Sequence, residues 1–480
     1  MLQIKAGDQR SYMLFGRFSF FFFFCIYTSL YGDFEKFQSH FSAPVQQFKS
    51  KKDLKFQREL KQEWKGYKTI RNKGFYASAK LKEIPKREVT PVKKIGPLVF
   101  IENDSNNSLT KQTLPSLPFN GDTKVDFFGL KLYLSVNTII KEAKFYPYNQ
   151  DGIASYFSGV VTSNYKDLIK EIKLIKKTYH LNDWGVYQLL DKLSLVIYKY
   201  DDERELFKWF FFQKLGYNVK IALAGEHVYS IYEIKQKLYN SVSVKYRKKE
   251  YFFLTKKAPF DGLVYIHKEI YNQNAKALDL RLKTLPLLKQ DYKTKKITFD
   301  EYKKKYTVSF TYNKNMIDFY HTYPQTEFSI FLNAPMERIT YNSLVKSLKD
   351  HINGMKTNVA LNFLLHFVQK GFIYQRDKEH FGKEKILFAE ETLFYNSSDC
   401  EDRVTLYGYL VKKLFNIGIY AIKYSNYMVS SLYIPINGDS YMIGSKRYII
   451  ADPTYINANV GISMPNYKGR VPRKYIHLRD

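Results

Sequence analysis

Apolar residues along the chain recur at two different spacings, which predict helices followed by small antiparallel sheets. Helical spacing covers three consecutive segments, 167–177, 183–198 and 203–215. Alternating spacing then predicts four strands, at 219–223, 228–234, 242–246 and 251–254. The middle of the chain is therefore predicted to form a unit of mixed α+β structure.

The same order of elements returns near the end of the chain. Helical patterns cover 358–372 and 400–415, and alternating patterns follow at 419–424, 428–434 and 447–450. Segments 210–221 and 409–420 also place apolar and basic residues in the same order. Two interpretations stay open: a degenerate copy of one unit, or the ordinary likeness of amphipathic helices that lead into strands.

These patterns divide the chain into five predicted parts. A polar segment with widely spaced Phe56, Trp64 and Tyr67 suits one stripe of a helix, and prolines then make it an extended linker. A short region later in the chain alternates at 307–311 and 327–332, which predicts connecting strands. The parts are 1–32, a signal peptide; 33–97, the charged helical and linker segment; 98–300, an α+β domain; 301–345, the connecting strands; and 346–480, a second α+β domain.

The N-terminus has the order of charges and apolar residues that is typical of a secretory signal peptide. Lys5, Arg10 and Arg17 precede a phenylalanine-rich run at 18–27, and small residues follow it. The run is shorter than the ~20 residues that a membrane-spanning helix needs. We expect an exported protein of the periplasm or cell envelope, with no integral span after signal removal; the alternative is that the run is kept as an anchor.

Charge and motifs restrict the partners. The formal net charge is +30, which favours an anionic envelope component as a partner. The lysines are spread along the whole chain, however, as a coding bias would spread them, and no nucleic-acid-binding motif is visible, so no nucleic acid is expected. No phosphate-binding loop or metal-ligand spacing is visible either, and we predict neither a cofactor nor a metal.

Cysteine usage singles out one residue. The chain has two cysteines, and loss of Cys25 with the signal peptide leaves Cys400 alone. An unpaired thiol in an exported protein is either functional or protected by burial.

The residues around Cys400 predict its local structure. Ser398 and Glu401 have the spacing of a capping box, which would start a helix here and place Cys400 in its first turn. The positive end of a helix stabilises a thiolate, whereas the neighbouring carboxylates of Asp399, Glu401 and Asp402 oppose it.

Three segments together resemble the transglutaminase-like superfamily, in its bacterial exported branch, over about residues 358–465. They are the helix start at 398–403, the strand at 424–429 and the strand that ends in Asp452-Pro-Thr. The resemblance implies a papain-like fold, in which the helix that bears the cysteine packs on an antiparallel sheet. It also implies that Cys400 is the nucleophile and Asp452 the orienting carboxylate. Where the family pattern has its histidine, this chain has Tyr427.

A tyrosine at that position changes the expected chemistry. A phenol with a pKa near ~10 is a poor proton acceptor at neutral pH, although it still donates a hydrogen bond. Three other histidines could replace the base. His366 is interpreted as a packing residue and His227 as an exposed strand residue, whereas His380, in a loop upstream of Cys400, could fold over the site. Asp452 also has a simpler role, that of capping its own turn.

Three functional hypotheses follow. The first is a catalytically impaired transglutaminase-like protein that binds peptides, possible glutamine- or lysine-bearing proteins among them, or glycan or envelope partners. The second is an active thiol acyltransferase or peptidase that uses Cys400. The third is a structural envelope protein that retains one buried cysteine.

Overall fold

A computed structural model describes most of the chain and shows two compact units, which together contain both helices and sheets. Within the described residues, one unit contains 50–62 and 137–166, and the other contains 64–136 and 167–479. The predicted signal peptide and Cys25 lie outside the described residues. No helix in the described part of the chain has both the length and the apolar character needed to cross a bilayer. The described residues are 50–62, 64–74, 81–101, 113–255, 262–269 and 271–479.

The first unit is helical. Its helices are α1 (Lys51–Leu60), α2 (Thr138–Glu142) and α3 (Gln150–Thr162). Helix α1 begins after Ser50, whose hydroxyl accepts a hydrogen bond from the backbone N–H of Asp53 at 3.1 Å. Phe56 is buried against Phe157 of α3, with ring centroids 5.2 Å apart, so this aromatic residue lies on a helical stripe as predicted.

The second unit contains a seven-stranded antiparallel sheet in the order β1-β9-β5-β6-β8-β7-β2. Its core holds eight buried side chains, Val244, Tyr251 and Ile266 among them. The strands predicted at 219–254 are confirmed as β5 to β8. The strand bounds are β1 (Lys65–Lys68), β2 (Ile70–Arg71), β5 (Val219–Ala224), β6 (His227–Glu233), β7 (Val242–Tyr246), β8 (Lys249–Phe253) and β9 (Leu263–Ile266), and a separate hairpin is formed by β3 (Thr123–Phe127) and β4 (Leu130–Leu134).

Residues 65–71 of the charged segment 33–97, which was predicted to be helix and linker, pair with both sides of this sheet. Strand β1 pairs with β9 and strand β2 with β7, so residues 65–71 contact both edges of the sheet. Tyr67 therefore lies in a strand and not on the predicted helical stripe, because its ring packs on Tyr246 of the sheet at 5.4 Å. Pairing both edges removes the exposed backbone groups that make edge strands prone to association.

Helices cover this sheet, and a long hairpin leads away from it. Helix α6 packs on β5 and β6, α5 packs on α6, and α9 packs on the hairpin. The helices predicted in this region are confirmed. The bounds are α4 (Tyr165–Thr178), α5 (Asp183–Ile197), α6 (Asp201–Lys214), β10 (Tyr292–Glu301), β11 (Lys304–Asn313), α7 (Lys314–His321), α8 (Phe328–Leu332) and α9 (Arg338–Ile352).

One of the two predicted connecting strands is wrong. The strand at 307–311 is confirmed within β11, but 327–332 forms helix α8. Phe331 and Leu332 are adjacent and both buried, an arrangement that a strand with alternating faces does not provide. Short apolar runs do not distinguish a strand from a buried helix by periodicity alone.

The last part of the chain places a helix on an antiparallel sheet, as predicted. The sheet has the order β16-β17-β15-β14-β18, and helix α13 packs on β14, β15 and three further helices. The bounds are α10 (Thr357–Lys370), β12 (Ile373–Tyr374), α11 (Asp377–Phe381), α12 (Ala389–Phe394), β13 (Ser397–Ser398), α13 (Cys400–Phe415), β14 (Ile419–Lys423), β15 (Met428–Leu432), β16 (Ser440–Ile443), β17 (Lys446–Ala451) and β18 (Lys474–Leu478).

The two larger sheets share one strand order. In the first, the order β9-β5-β6-β8-β7 follows helix α6, and in the second, the order β18-β14-β15-β17-β16 follows helix α13. Numbered from the strand after each helix, both run fifth, first, second, fourth, third. In both sheets the preceding helix, α6 or α13, contacts the first two of these strands.

Candidate functional site

Cys400 is the first residue of α13, as predicted, but the helix cap differs by one position. The cap residue is Asp399, and its backbone N–H donates to Asp402 Oδ2 at 3.2 Å. Ser398 is not the cap because it belongs to strand β13, which pairs with Tyr374. The predicted capping box of Ser398 and Glu401 is therefore wrong, and Asp399 with Asp402 forms one instead.

The Cys400 thiol is enclosed and faces a carboxylate. No part of Cys400 is exposed, and its Sγ donates to Glu401 Oε2 at 3.0 Å. A hydrogen bond from sulfur to this carboxylate uses the protonated thiol. Glu401 thus opposes the thiolate that the helix N-terminus favours.

Tyr427 and Asp452 are joined by a short hydrogen bond. The Tyr427 hydroxyl donates to Asp452 Oδ1 at 2.7 Å, and both residues are fully buried. Burial, together with the adjacent Asp452 carboxylate, raises the pKa of Tyr427 well above its usual value. The phenol is therefore a hydrogen-bond donor here and not a proton acceptor.

Asp452 also caps its own turn, as its alternative interpretation proposed. Its Oδ1 accepts the backbone N–H groups of Thr454 and Tyr455, each at 3.0 Å. Its Oδ2 has no hydrogen-bond partner among the described residues. Burial raises the pKa of Asp452 to about 6, although the hydrogen bonds from Tyr427 and the two backbone groups oppose that shift. Both proposed roles of this carboxylate are thus compatible with one geometry.

The turn that follows Asp452 is fixed by neighbouring chain segments. Gln369 of α10 donates to the Asp452 carbonyl at 2.9 Å and accepts the Asn457 backbone N–H at 2.9 Å. Asn457 also donates from Nδ2 to the Arg87 carbonyl at 2.6 Å. The segment around Arg87, predicted as a linker, therefore helps to hold the carboxylate in place.

A buried arginine lies beneath the start of α13. Arg403 donates to Ser398 Oγ at 3.1 Å and to the carbonyls of Gln369 and Phe372 at 3.2 and 2.8 Å. Burial lowers its pKa, although nearby Tyr427, Asp399 and Cys400 act against that shift. The guanidinium supplies positive charge near the acidic helix start while its hydrogen bonds fix the preceding strand.

Tyr467 covers the Tyr427 phenol. Their rings stack with centroids 4.4 Å apart, and the Tyr467 hydroxyl donates to Asn426 Oδ1 at 3.0 Å. Burial raises the pKa of Tyr467, and a charge on Cys400 acts in the same direction. Sequence reasoning missed Tyr467 because it lies in a short 3-10 helix, Pro465–Tyr467, and belongs to no recognisable motif.

Two of the three predicted site residues are in direct contact, and the histidines have other partners. Tyr427 donates to Asp452, and a charge on Cys400 would raise the pKa of the Tyr427 phenol. His366 is buried against Glu301 with Nδ1 to Oε1 at 2.7 Å, so it makes a buried hydrogen bond in addition to its packing contacts. His380, predicted in a loop, lies in helix α11, and its Nδ1 is 3.0 Å from Ser397 Oγ.

His227 occupies a comparable place in the first sheet. It begins β6, the strand that corresponds in order to β15, and its Nδ1 lies 3.1 Å from Asp202 Oδ2 at the start of α6. The imidazole is largely exposed, as predicted. His227 thus lies beside the second residue of the helix before the first sheet, the position that Glu401 holds in α13.

Some of the acidic side chains near Cys400 have the spacing of metal ligands. Donor atoms of Asp399, Cys400 and Glu401 lie within 4.8 Å of one another, as do those of Asp377, Asp399 and Asp402. Carboxylate groups often lie this close without a metal, so the absence of a metal stays a prediction.

Comparison with known proteins gives no relative for this arrangement: no family model, no curated protein and no solved structure matches the chain.

Proposed function

We propose that the chain is an exported protein with a catalytically impaired transglutaminase-like domain of papain-like fold, which acts by binding a peptide, glycan or envelope partner. The observation that carries this proposal is the hydrogen bond from Tyr427 to Asp452 at 2.7 Å. In the family logic, a histidine held by this carboxylate takes the thiol proton. Here a phenol uses the carboxylate instead, and the phenol cannot act as that base.

Burial of the thiol also supports an impaired enzyme. Cys400 is not exposed, its Sγ forms a hydrogen bond to Glu401, and Tyr467 stacks on the Tyr427 phenol. A nucleophile must be accessible and deprotonated to attack a carbonyl. In this proposal the chain has a cysteine and an aspartate at the positions that the family uses, but the buried, hydrogen-bonded thiol meets neither of these two conditions.

The shared strand order supports the accompanying proposal that the first sheet is a degenerate copy of the second. Both sheets place a helix before the same sequence of strands. Helix α6, which precedes the first sheet, begins with Asp201 and Asp202, whereas α13 begins with Cys400 and Glu401. The copy has therefore lost the nucleophile, and we assign no catalysis to it.

Alkylation of Cys400 tests the proposal. In a Cys25→Ser background, iodoacetamide should react slowly with the native protein from pH 6 to 8 and rapidly after unfolding in urea. Rapid reaction of the native protein below pH 7 would show an accessible thiolate and contradict an impaired site.

Turnover supplies the second test. With a glutamine-bearing peptide and a primary amine, the wild-type protein should release no more ammonia than a Cys400→Ser variant. Tyr427→His should then create ammonia release that is lost again in the Tyr427→His/Cys400→Ser double variant. Clear Cys400-dependent release by the wild-type protein would refute the proposal.

The contact between Cys400 and Glu401 favours a second candidate function, that of an active thiol acyltransferase or peptidase. In this candidate Glu401, 3.0 Å from the sulfur, takes the thiol proton in place of histidine. The wild-type protein would then be active, and both Cys400→Ser and Glu401→Gln would abolish that activity. If Glu401→Gln leaves the wild-type rate unchanged, Glu401 is not the base.

A further inference from the structure

A second candidate site lies at a cavity of about 680 Å³ between the end of α4 and the start of α5. One wall carries Lys173, Lys176 and Lys177 of α4, and another carries Arg281 and Lys283. The volume is in the range of small-molecule sites. Cys400, Tyr427 and Asp452 do not line this cavity, so it is distinct from the site described above.

Three of the lysines at the cavity have unneutralised charge. Lys173, Lys177 and Lys283 are exposed, and no acidic partner is found for them within the described residues. Lys173 and Lys177 are four residues apart on one helix, about 6 Å along its axis. Lys283 lies on the other wall, so the three lysines line the cavity from two segments of the chain.

The two carboxylates that line the cavity are already engaged. Asp183 Oδ1 accepts hydrogen bonds from Lys176 Nζ at 2.6 Å and from the Tyr217 hydroxyl at 2.5 Å. Burial opposes its ionisation, but these hydrogen bonds outweigh burial and lower its pKa. Asp279 forms an ion pair with Arg281. Neither acid is therefore available to neutralise the three remaining lysines.

Hydrogen bonds fix the floor of the cavity. The Asp279 backbone N–H donates to Asp183 Oδ2 at 3.0 Å, which joins the two walls. Gln236 donates to Asp279 Oδ1 at 2.9 Å. Asn182 and Asp183 line the cavity at the start of the 15-residue helix α5, whose positive end adds to the potential there.

We propose that this cavity binds a small ligand that carries two or more phosphate groups. Two anionic groups can contact ammonium groups on both walls at once, and each contact is a charge-assisted hydrogen bond. A single phosphate group would leave at least one wall without a partner. The site requires no chemistry from Cys400 and stands independently of the function proposed above.

Calorimetric titration with pyrophosphate tests this site, with inorganic phosphate and sulfate compared at equal ionic strength. The full chain should bind pyrophosphate more tightly than either single anion. The variant Lys173→Ser/Lys177→Ser/Lys283→Ser should weaken pyrophosphate binding by roughly tenfold or more, since several charge-assisted hydrogen bonds are lost.

A matched control separates a site from general attraction to a basic protein. Lys124→Ser/Lys131→Ser/Lys296→Ser removes the same charge from exposed strand positions away from the cavity, and its affinity should change by less than about threefold. Equal losses in both triple variants, or no preference of the wild-type protein for pyrophosphate, would overturn the proposal. An arginine version of the cavity variant, Lys173→Arg/Lys177→Arg/Lys283→Arg, should retain binding.

Discussion

Cys400, Tyr427 and Asp452 are all fully buried, yet their polar atoms are satisfied to different degrees. Sulfur and phenol each donate one hydrogen bond, whereas Asp452 Oδ1 accepts three and Oδ2 accepts none within the described residues. A buried carboxylate with one unsatisfied oxygen prefers the protonated form. The acid-base behaviour of the site therefore depends on Asp452 more than on the thiol.

The raised pKa of Asp452 predicts how stability changes with pH. The folded-state pKa is about 6, above the ordinary value of 3.8, so the folded protein binds more protons than the unfolded chain between these values. This contribution stabilises the fold at pH 4 and is lost as pH rises through 6. The loss should be about 2 to 3 kcal/mol, because one pKa unit corresponds to ~1.4 kcal/mol.

Urea unfolding from pH 4 to pH 7 measures this effect. In Asp452→Asn the contribution is absent, so the difference in unfolding free energy between this variant and the wild-type protein should shift in favour of the variant as pH rises. The exposed Asp350→Asn variant serves as the control and should show no such trend. If the difference in unfolding free energy between Asp452→Asn and the wild-type protein stays constant from pH 4 to pH 7, the pKa of Asp452 is not raised in the folded protein.

The sequence predicted those parts of the candidate site that depend on residues adjacent along the chain. The helix that begins at Cys400 was predicted with its observed bounds, because a polar run with acidic caps precedes a periodic apolar segment. The one-residue error at the cap arose because Ser398 is used by strand β13. Tyr467 and Gln369, which surround the site from other elements, give no local signal and come together only through packing.

At the scale of elements, helix α12 sets the approach of the chain to α13. Its last carbonyls, those of Leu393, Phe394 and Tyr395, all accept hydrogen bonds from Lys295 Nζ at 2.7 to 3.0 Å. A cation at a helix C-terminus satisfies carbonyls that have no partner within the helix. The strand β10 thereby fixes the segment that leads to Cys400.

Lys295→Met should destabilise the protein by about 2 to 4 kcal/mol, because three part-buried hydrogen bonds from one charged donor are lost together. Lys296→Met is the matched control, since the neighbouring side chain is exposed on the same strand, and it should change stability by less than about 0.5 kcal/mol. Chemical unfolding measures both. Equal effects of the two variants would show that the Lys295 cap contributes little.

The short 3-10 helix that carries Tyr467 is expected to limit how easily reagents reach the Cys400 thiol. Tyr467→Ala removes the ring that stacks on Tyr427, so native-state alkylation of Cys400 should accelerate by roughly tenfold or more as local opening becomes easier. Tyr475→Ala, an exposed aromatic change on β18, should leave the rate unchanged. An unaltered rate in Tyr467→Ala would place the barrier to access elsewhere.

At the scale of the whole molecule, helix and strand types were easier to predict than their partners. The alternating runs at 219–254 and 419–450 became strands because their apolar positions fit a half-buried sheet. The role of 65–71 in closing the first sheet was not foreseeable, since β1 is only four residues long and its partner β9 lies far along the chain. Helix α8 shows the reverse case, in which local pattern favoured a strand and packing selected a helix.

The high net charge predicts a response to salt. With a formal charge of +30, like charges repel one another in the folded state, and dissolved ions screen that repulsion. Raising NaCl from roughly 0.02 to 0.3 M should increase the melting temperature by about 3 °C. A melting temperature that falls over this range would mean that attractive ion pairs outweigh the repulsion.

The position of β18 in the sheet order has a practical consequence for handling the protein. This strand, Lys474–Leu478, pairs along the full length of β14, yet it consists of only five residues near the carboxyl end of the sequence. Trimming the chain after residue 473, by a protease or by design, would bare the backbone of β14. An uncovered strand of this kind recruits a matching strand from another molecule, so such a fragment is expected to self-associate.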